Sequence, residues 1–145
     1  MYFDDFCILS AGKGGINIGN YVHIACYSSI IGKGQVIMKD FSGLSSRVSV
    51  YSSSDKYNGE YMTNPCVPDH VTNTIHKDVM IGKHVVVGSG SIVLPGVKLA
   101  DGCAVGAMSL VNKSEDDSYV LAGIPAKRIS KRLNTIFELE KSITF

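Results

Sequence analysis

The sequence has little net charge and no long apolar run, and both absences narrow what the protein can be. Its 145 residues include 14 Lys or Arg and 13 Asp or Glu, which gives a formal net charge of +1. A balance this close to neutral argues against binding nucleic acid or an anionic membrane by bulk electrostatics. No apolar run is long enough to span a bilayer. We therefore expect no membrane span and no nucleic-acid partner.

Cysteine is scarce, and the first residues lack the features of a secretion signal. The four cysteines form no C-x-x-C pair. The opening Met-Tyr-Phe-Asp-Asp-Phe has no basic segment, so it does not resemble a secretory signal. These observations predict a reduced, cytoplasmic protein. With 45% hydrophobic and 19% charged residues, the composition predicts one ordinary globular domain over residues 1–145.

What the sequence does contain is a six-residue repeat between residues 75 and 110. The first position of each hexad is aliphatic: Ile75, Ile81, Val87, Val93, Leu99 and Val105. The fifth position is small or β-branched: Val79, Val85, Ser91, Val97, Cys103 and Ser109. A fifth position and the next first position are two residues apart, so both side chains point to one face of an extended chain. This period is not helical and indicates a solenoid whose strand bends every six residues.

The repeat matches the hexads of a left-handed parallel β-helix, in which three hexads make one triangular coil. Residues eighteen positions apart should then stack in neighbouring coils. The predicted stacks are Ile75 with Val93, Ile81 with Leu99, Val87 with Val105, and Val93 with Val111. All members are aliphatic, as such stacking requires. The predicted fold class is therefore an all-β solenoid.

A first, less regular run of hexads begins at Ile18 and is out of phase with the run at Ile75. The stretch from residue 39 to 53 continues the coil, with Phe41, Leu44, Val48 and Val50 as inward candidates. Between the runs, residues 54–74 contain turn sequences such as Asn58-Gly59 and Pro68-Asp69. A loop of this length in a compact domain is usually functional or disordered. Its apolar side chains favour an ordered loop protruding over about 54–74.

The end of the chain predicts a helix. Ile129, Leu133, Ile136 and Phe137 follow an i, i+4, i+7, i+8 spacing, with basic residues on the other faces. We expect an amphipathic C-terminal α-helix over about 126–141. A solenoid needs its open end covered, so this helix is predicted to be the cap.

Four segments, 81–90, 94–97, 105–113 and 122–127, resemble the hexapeptide-repeat acyltransferases, close to the galactoside, maltose and O-antigen sugar acetyltransferases. The resemblance extends over about 16–132. It implies an acetyltransferase that uses acetyl-CoA as cosubstrate and acts on a hydroxyl or amine of a sugar, such as a nucleotide-linked or cell-surface sugar. It also implies a homotrimer, with acetyl-CoA in a cleft between neighbouring β-helices and the acceptor under the protruding loop.

The resemblance implies where CoA binds. Ser89 and Ala107 match positions whose backbone contacts the pantetheine, and Lys113 and Lys127 match basic positions at the nucleotide end. The residues themselves agree, because small side chains admit an extended pantetheine arm and cations suit phosphates. Each residue alone is equally well explained as a tight corner or a solvated charge. Together with the repeat, they predict a CoA site made of Ser89, Gly106, Ala107, Lys113, Lys127 and Arg128.

The catalytic base is where the sequence departs from the family. The galactoside enzymes have a histidine at the start of the protruding loop, and the matching residue here is Asp55. His76, next to the point where the loop rejoins the coil, is the preferred base because a neutral imidazole accepts a proton near neutral pH. His70 lies on the loop itself. Asp55 could orient the histidine, anchor an amine or act as the base, and these alternatives stay open.

Two other functions compete on the same fold. One is a zinc hydratase of the γ-carbonic anhydrase type, for which His70, His76 and His84 are the available ligands. The hexad pattern places His84 on the exterior of the coil, so no metal site is predicted. The other is a non-catalytic β-helical scaffold. Thermal stabilisation by CoA but not by zinc would favour the acyltransferase over both.

Overall fold

The computed structural model describes residues 1–143, and these residues form a triangular solenoid with a short C-terminal helix. A 3-10 turn at Asp69–Val71 lies in the protruding loop, and the helix α1 spans Thr135–Glu140. The strands are β1 (Tyr2–Phe3), β2 (Ile8–Ala11), β3 (Ile16–Ile18), β4 (His23–Ile24), β5 (Ser29–Gly32), β6 (Val36–Met38), β7 (Gly43–Leu44), β8 (Ser49–Tyr51), β9 (Ser53–Asp55), β10 (Thr74–His76), β11 (Val79–Ile81), β12 (Val86–Val87), β13 (Ile92–Val93), β14 (Lys98–Leu99), β15 (Ala104–Val105), β16 (Leu110–Val111), β17 (Tyr119–Gly123) and β18 (Ala126–Lys131).

Three sheets form the three sides of the solenoid. The first side joins β1, β4, β7, β12, β15 and β17, the second joins β2, β5, β8, β13 and β16, and the third joins β3, β6, β11 and β14. Neighbouring strands on each side are parallel. Each coil therefore satisfies its backbone groups by pairing with the coils above and below it. The predicted all-β, left-handed solenoid is confirmed.

The inward hexad positions form the core. Ile81 pairs with Leu99, Val87 with Val105, and Val93 with Val111, so the eighteen-residue stacking is confirmed for these pairs. The small fifth positions are buried as well: Val79, Val85, Ser91, Val97, Cys103 and Ser109. The polar members are satisfied, since the Ser91 hydroxyl donates to the Gly106 carbonyl at 2.9 Å and accepts from the Ser109 N–H at 3.1 Å. Burial raises the pKa of the Cys103 thiol, which behaves here as a small apolar residue.

The second run of hexads begins at Val79 rather than at Ile75. Ile75 pairs with Ser54 in the antiparallel hairpin β9–β10, while the neighbour of Val93 is Val50. Ile75 therefore does not stack with Val93, and that prediction was wrong. Its aliphatic side chain fits the hexad period, but the chain at this point is still returning from the protruding loop. The coil resumes where Val79 pairs with Val36.

Phe41 was also predicted to point inward, and the structure places it on an outer corner. Its φ is 59°, and its ring stacks on Tyr21 at 4.9 Å between ring centres. On the other side it stacks on His84 at 5.0 Å. Tyr21, Phe41 and His84, each at a hexad corner, thus form a stack of rings on the outside of the solenoid, which we call the external aromatic column. The other three inward candidates, Leu44, Val48 and Val50, are buried as predicted.

The C-terminal helix is shorter than the predicted 126–141. Residues Ala126–Lys131 form β18, which pairs antiparallel with β17. β17 would otherwise leave an unpaired edge on the first sheet, and a hairpin covers that edge. Because residues Ala126–Lys131 pair with β17, they are not helical even though Ile129 begins a helical spacing of apolar residues. The Ile129 side chain is left exposed.

The remaining helix, α1, lies against one corner of the coils. The Phe137 ring meets the His84 ring edge-on at 5.1 Å, and so extends the external aromatic column. Gly102 occupies the same corner one coil after His84, with a φ of 84°. A Cβ on Gly102 would lie 3.2 Å from the Phe137 ring, so glycine here leaves room for that ring. Glu140 binds both Lys83 and His84 through its carboxylate. Within residues 1–143, no helix is long and apolar enough to cross a membrane.

Candidate active site

A cleft of about 680 Å³ lies between the protruding loop and the outer face of the first two coils. The loop leaves the coil through β9 and returns through β10, which pair as an antiparallel hairpin at its base. Residues 10–12 and 31–33 of the coils form one wall, and the loop forms the other with Asn64, Pro65, Val67, Asp69 and Thr72. A site between a rigid scaffold and an ordered loop is a common setting for catalysis.

The hairpin at the base of the loop brings together both predicted catalytic residues. Asp55 is opposite Thr74, and His76 is opposite Ser53. Opposite residues and residues two apart in a strand share one face, and all four side chains line the cleft. Asp55 accepts a hydrogen bond from the Thr74 hydroxyl at 3.1 Å. The structure therefore places His76 and Asp55 in one cleft.

Ser53 is a site residue that the sequence analysis did not identify. Its hydroxyl accepts a hydrogen bond from the Lys33 backbone N–H at 2.8 Å and lies 2.7 Å from His76 Nδ1. In the neutral tautomer whose Nδ1–H donates to this hydroxyl, His76 Nε2 has a free lone pair, which a general base requires. No signal in the sequence reveals this contact, because it depends on the register of a hairpin whose strands are separated by the whole loop.

The other two histidines of the predicted zinc set do not line the cleft. His84 Nε2 is 2.8 Å from the Glu140 carboxylate, and its ring belongs to the external aromatic column. Lys83 and His84 together lower the pKa of Glu140. His70 is exposed in the turn Asp69–Val71. Across the described part of the chain, no three His, Cys, Asp or Glu side chains are grouped closely enough to share a metal ion.

The residues predicted to bind pantetheine lie at a different corner, between the first and second sheets. The Ser89 carbonyl accepts a hydrogen bond from Met108 N–H at 2.8 Å, which places Ser89 and Ala107 in neighbouring coils at the same corner. The coils pack closely here, since a Cβ on Gly88 would lie 2.5 Å from the Ala107 nitrogen. We call this corner the small-residue column; it consists of Ala25, Cys26, Ser45, Ser46, Gly88, Ser89, Gly106, Ala107, Ala122 and Gly123. Arg47 and Met108 follow at the same corner, but the column positions themselves carry small side chains, so an extended ligand can lie close to the backbone there.

The three basic residues predicted to bind CoA phosphates are not equivalent in the structure. Arg128 donates two hydrogen bonds to Glu115, at 2.8 and 2.7 Å, and its guanidinium lies 4.1 Å from the centre of the Tyr119 ring. The bidentate contact lowers the pKa of Glu115 and raises that of Arg128. Arg128 thus ties β18 to the last coil. Lys113 and Lys127 are exposed, and neither side chain forms an ion pair or hydrogen bond with any of residues 1–143.

Comparison with known proteins decides the family. Residues 74–113 match the bacterial transferase hexapeptide family, which is described as six repeats. The chain is 56% identical over 137 residues to a dTDP-4-amino-4,6-dideoxy-D-glucose acyltransferase of Escherichia coli, covering 94% of this chain and 71% of that protein. The chain belongs to the hexapeptide-repeat acyltransferases. The predicted membership of that family, and the prediction that the protein is an acyltransferase, are thereby confirmed.

Two further relatives of this hexapeptide-repeat acyltransferase cover most of the chain. One is a putative lipopolysaccharide biosynthesis O-acetyl transferase of Escherichia coli strain K12, 32% identical over 80% of this chain and 57% of its own length. The other is AntD, an N-acyltransferase from Bacillus cereus solved with dTDP and 3-hydroxybutyryl-CoA. AntD is 41% identical with a TM-score of 0.91, over 96% of this chain and 73% of its own. The predicted cosubstrate is acetyl-CoA, and the AntD complex supports an acyl-CoA cosubstrate.

A more distant solved structure shares the fold alone. It is a maltose O-acetyltransferase from Clostridium difficile 630, which is 20% identical with a TM-score of 0.71. The alignment covers 92% of this chain and 70% of that protein. The solenoid fold is therefore retained at low sequence identity.

Proposed function

We propose that the protein transfers an acetyl group from acetyl-CoA to the amine of a nucleotide-linked amino sugar of the dTDP-4-amino-4,6-dideoxyglucose type. The observation that carries this proposal is Asp55, a carboxylate in the cleft at the position where galactoside enzymes have a histidine. An ionised carboxylate is a poor base for a hydroxyl, whereas it is a good partner for an ammonium group. The Escherichia coli relative is named for that amino sugar, and AntD is an N-acyltransferase solved with dTDP.

In the proposed reaction, the ammonium bound at Asp55 first loses a proton to solvent, and the nitrogen of the resulting neutral amine attacks the thioester carbonyl of acetyl-CoA. The C–N bond forms, the C–S bond breaks, and the nitrogen gives up one proton while the sulfur leaves as CoA thiolate. We assign to Asp55 the task of holding the amine, and to His76 the task of accepting its proton and returning it to the sulfur. Ser53 orients the imidazole. Each role uses a side chain that lines the same cleft.

The test of this function is a direct assay of the purified protein. With acetyl-CoA and dTDP-4-amino-4,6-dideoxyglucose, we expect release of CoA thiol and a nucleotide sugar heavier by one acetyl group in its mass spectrum. The matched acceptor is dTDP-6-deoxyglucose, which has a hydroxyl in place of the amine. Acetylation of this hydroxyl compound at a comparable rate would contradict transfer to an amine.

We further propose that Lys113 and Lys127 bind CoA phosphates, with Ser89, Gly106 and Ala107 along the pantetheine. Replacing either lysine with glutamate should raise the KM for acetyl-CoA by up to roughly fivefold, because an exposed ion pair contributes up to about 1 kcal/mol. The KM for the amino sugar should change less. Lys98→Glu is the matched control, since Lys98 is an exposed lysine of β14 whose side chain has no ion pair within residues 1–143. An unchanged KM for acetyl-CoA in both variants would make these lysines solvated surface charges.

We also propose a homotrimer whose active sites are shared between subunits. The cleft and the small-residue column lie at opposite edges of the second sheet, so one subunit does not bring the acyl group and the acceptor together. Ile92 and Val86, on outer sheet faces beside the column, are 37% and 39% exposed, which is consistent with a covered surface. Sedimentation should give about three times the 15.6 kDa chain mass. A monomer at micromolar concentration would contradict a shared site.

We propose that residues 1–145 work as one domain in the cytoplasm. All four cysteines are free thiols, as expected in a reducing compartment.

A further inference from the structure

One basic side chain in the cleft has no partner and no role in the reaction described so far. Among the residues that line the cleft, Lys33 is the one lysine or arginine, beside Asp55, Asp69 and His76. Its side chain is exposed and makes no ion pair, hydrogen bond or aromatic contact with the described residues 1–143. An ammonium group that faces a ligand cleft without a protein partner is available to an anion.

The fold fixes the position of Lys33 next to the proposed catalytic histidine. Its backbone N–H donates to the Ser53 hydroxyl at 2.8 Å, and that hydroxyl lies 2.7 Å from His76 Nδ1. Gly12 lies beside Lys33 in the neighbouring coil, and a Cβ on Gly12 would be 2.5 Å from Lys33 Cα and 2.9 Å from Lys33 Cγ. Glycine at position 12 therefore leaves room for the Lys33 stem on the floor of the cleft.

Two more lysines lie at the same corner. Lys13 precedes Gly14, whose N–H donates to the Lys33 carbonyl at 3.0 Å, and the Lys77 carbonyl lies 2.8 Å from where a Cβ on Gly34 would be. Both lysines are exposed, and neither forms an ion pair within the described part of the chain. The nearby Asp78 carboxylate accepts the Gln35 backbone N–H at 2.8 Å. The corner beside the cleft thus has three lysines without partners, of which Lys33 faces the cleft.

We infer that Lys33 binds the diphosphate of the nucleotide-linked acceptor, with Lys13 and Lys77 adding to the positive potential at that end. The inference rests on the proposed function. If the sugar amine lies at Asp55 and His76, the phosphate on the anomeric carbon lies one sugar ring away. The Lys33 backbone is linked to His76 through the Ser53 hydroxyl, so the flexible Lys33 side chain can reach that phosphate. Lysine binds phosphate as a point charge. Lys33 would therefore make the enzyme prefer a nucleotide-linked sugar to a free one.

The test is Lys33→Met, which keeps the aliphatic stem and removes the charge. We expect the KM for dTDP-4-amino-4,6-dideoxyglucose to rise by roughly 10- to 100-fold, since a charge-assisted hydrogen bond to phosphate is lost. The kcat and the KM for acetyl-CoA should stay within about twofold. With the methyl glycoside of 4-amino-4,6-dideoxyglucose, which has no phosphate, wild type and Lys33→Met should have equal kcat/KM. Lys98→Met is the matched control and should behave as wild type.

Calorimetric titration with dTDP separates this inference from the proposed function. Lys33→Met should weaken dTDP binding by a factor similar to the change in KM, while thymidine binding should not change. If wild type binds dTDP through Lys33 but does not acetylate the amino sugar, the proposed function is wrong and the diphosphate site stands. Equal dTDP affinity in wild type and Lys33→Met, or no dTDP binding by wild type, would overturn the inference.

Discussion

Replacing His76 with alanine should lower kcat by roughly 10²–10⁴-fold, which is the usual effect of removing a positioned proton acceptor. The amine must lose a proton as it attacks the thioester, and His76 is the imidazole at the base of the cleft, held by Ser53 at 2.7 Å. The KM for acetyl-CoA should stay close to the wild-type value, because the small-residue column is at another corner. Steady-state kinetics with acetyl-CoA and the amino sugar measure both quantities.

His70→Ala is the matched control for this variant, since His70 is the other histidine near the cleft and lies exposed on the loop. It should retain most of the wild-type turnover. Ser53→Ala should show a smaller fall in kcat than His76→Ala and a displaced pH–rate profile, because Ser53 orients the imidazole and does not itself accept the proton. Near-normal turnover in His76→Ala, with a large loss in His70→Ala, would move the role to His70.

The sequence predicted the solenoid well because its signal is local and repeated. Buried aliphatic residues at a fixed six-residue spacing specify both the bends and the stacking partners, as Ile81 and Leu99 show. The errors occur where a distant pairing decides the structure. Ile75 fits the period but pairs across the loop with Ser54. Residues Ala126–Lys131 were assigned to a helix from the spacing that begins at Ile129, but they cover the edge of β17. The spacing of apolar residues in the sequence does not show which sheet edge is left unpaired.

The candidate site divides in the same way. The position of Asp55 and His76 beside the protruding loop could be predicted from the sequence, and the structure places both in one cleft. Their catalytic roles stay predictions. Ser53 and Lys33 could not be predicted, because their contacts depend on hairpin register and on how adjacent coils align. Arg128 was predicted from its charge to bind a CoA phosphate. In the structure, the β17–β18 hairpin folds back over the last coil and brings Arg128 to Glu115, to which it donates two hydrogen bonds. A charge in a sequence gives no information about its partner.

Asp55→Asn should reduce kcat/KM for the amino sugar by roughly 10- to 150-fold, mainly through a higher acceptor KM. This range corresponds to the 1.5–3 kcal/mol that a hydrogen bond to a charged group typically contributes. Asparagine keeps the size of the side chain and an oxygen that can still accept from the Thr74 hydroxyl, which lies at 3.1 Å. The change therefore removes the charge that holds the ammonium while leaving the hairpin intact. The KM for acetyl-CoA should not change.

Asp69→Asn is the matched control, since Asp69 is the other carboxylate that lines the cleft and lies on the loop. Its acceptor KM should stay within about twofold of wild type. The comparison with His76→Ala then assigns the two roles. A higher acceptor KM in Asp55→Asn, with a low kcat in His76→Ala, supports an anchoring carboxylate and an accepting imidazole. If instead kcat collapses in Asp55→Asn while His76→Ala turns over almost normally, the carboxylate itself accepts the proton from the amine. Wild-type kinetics in Asp55→Asn would exclude Asp55 from both roles, and the amine would have to be held by other groups of the cleft.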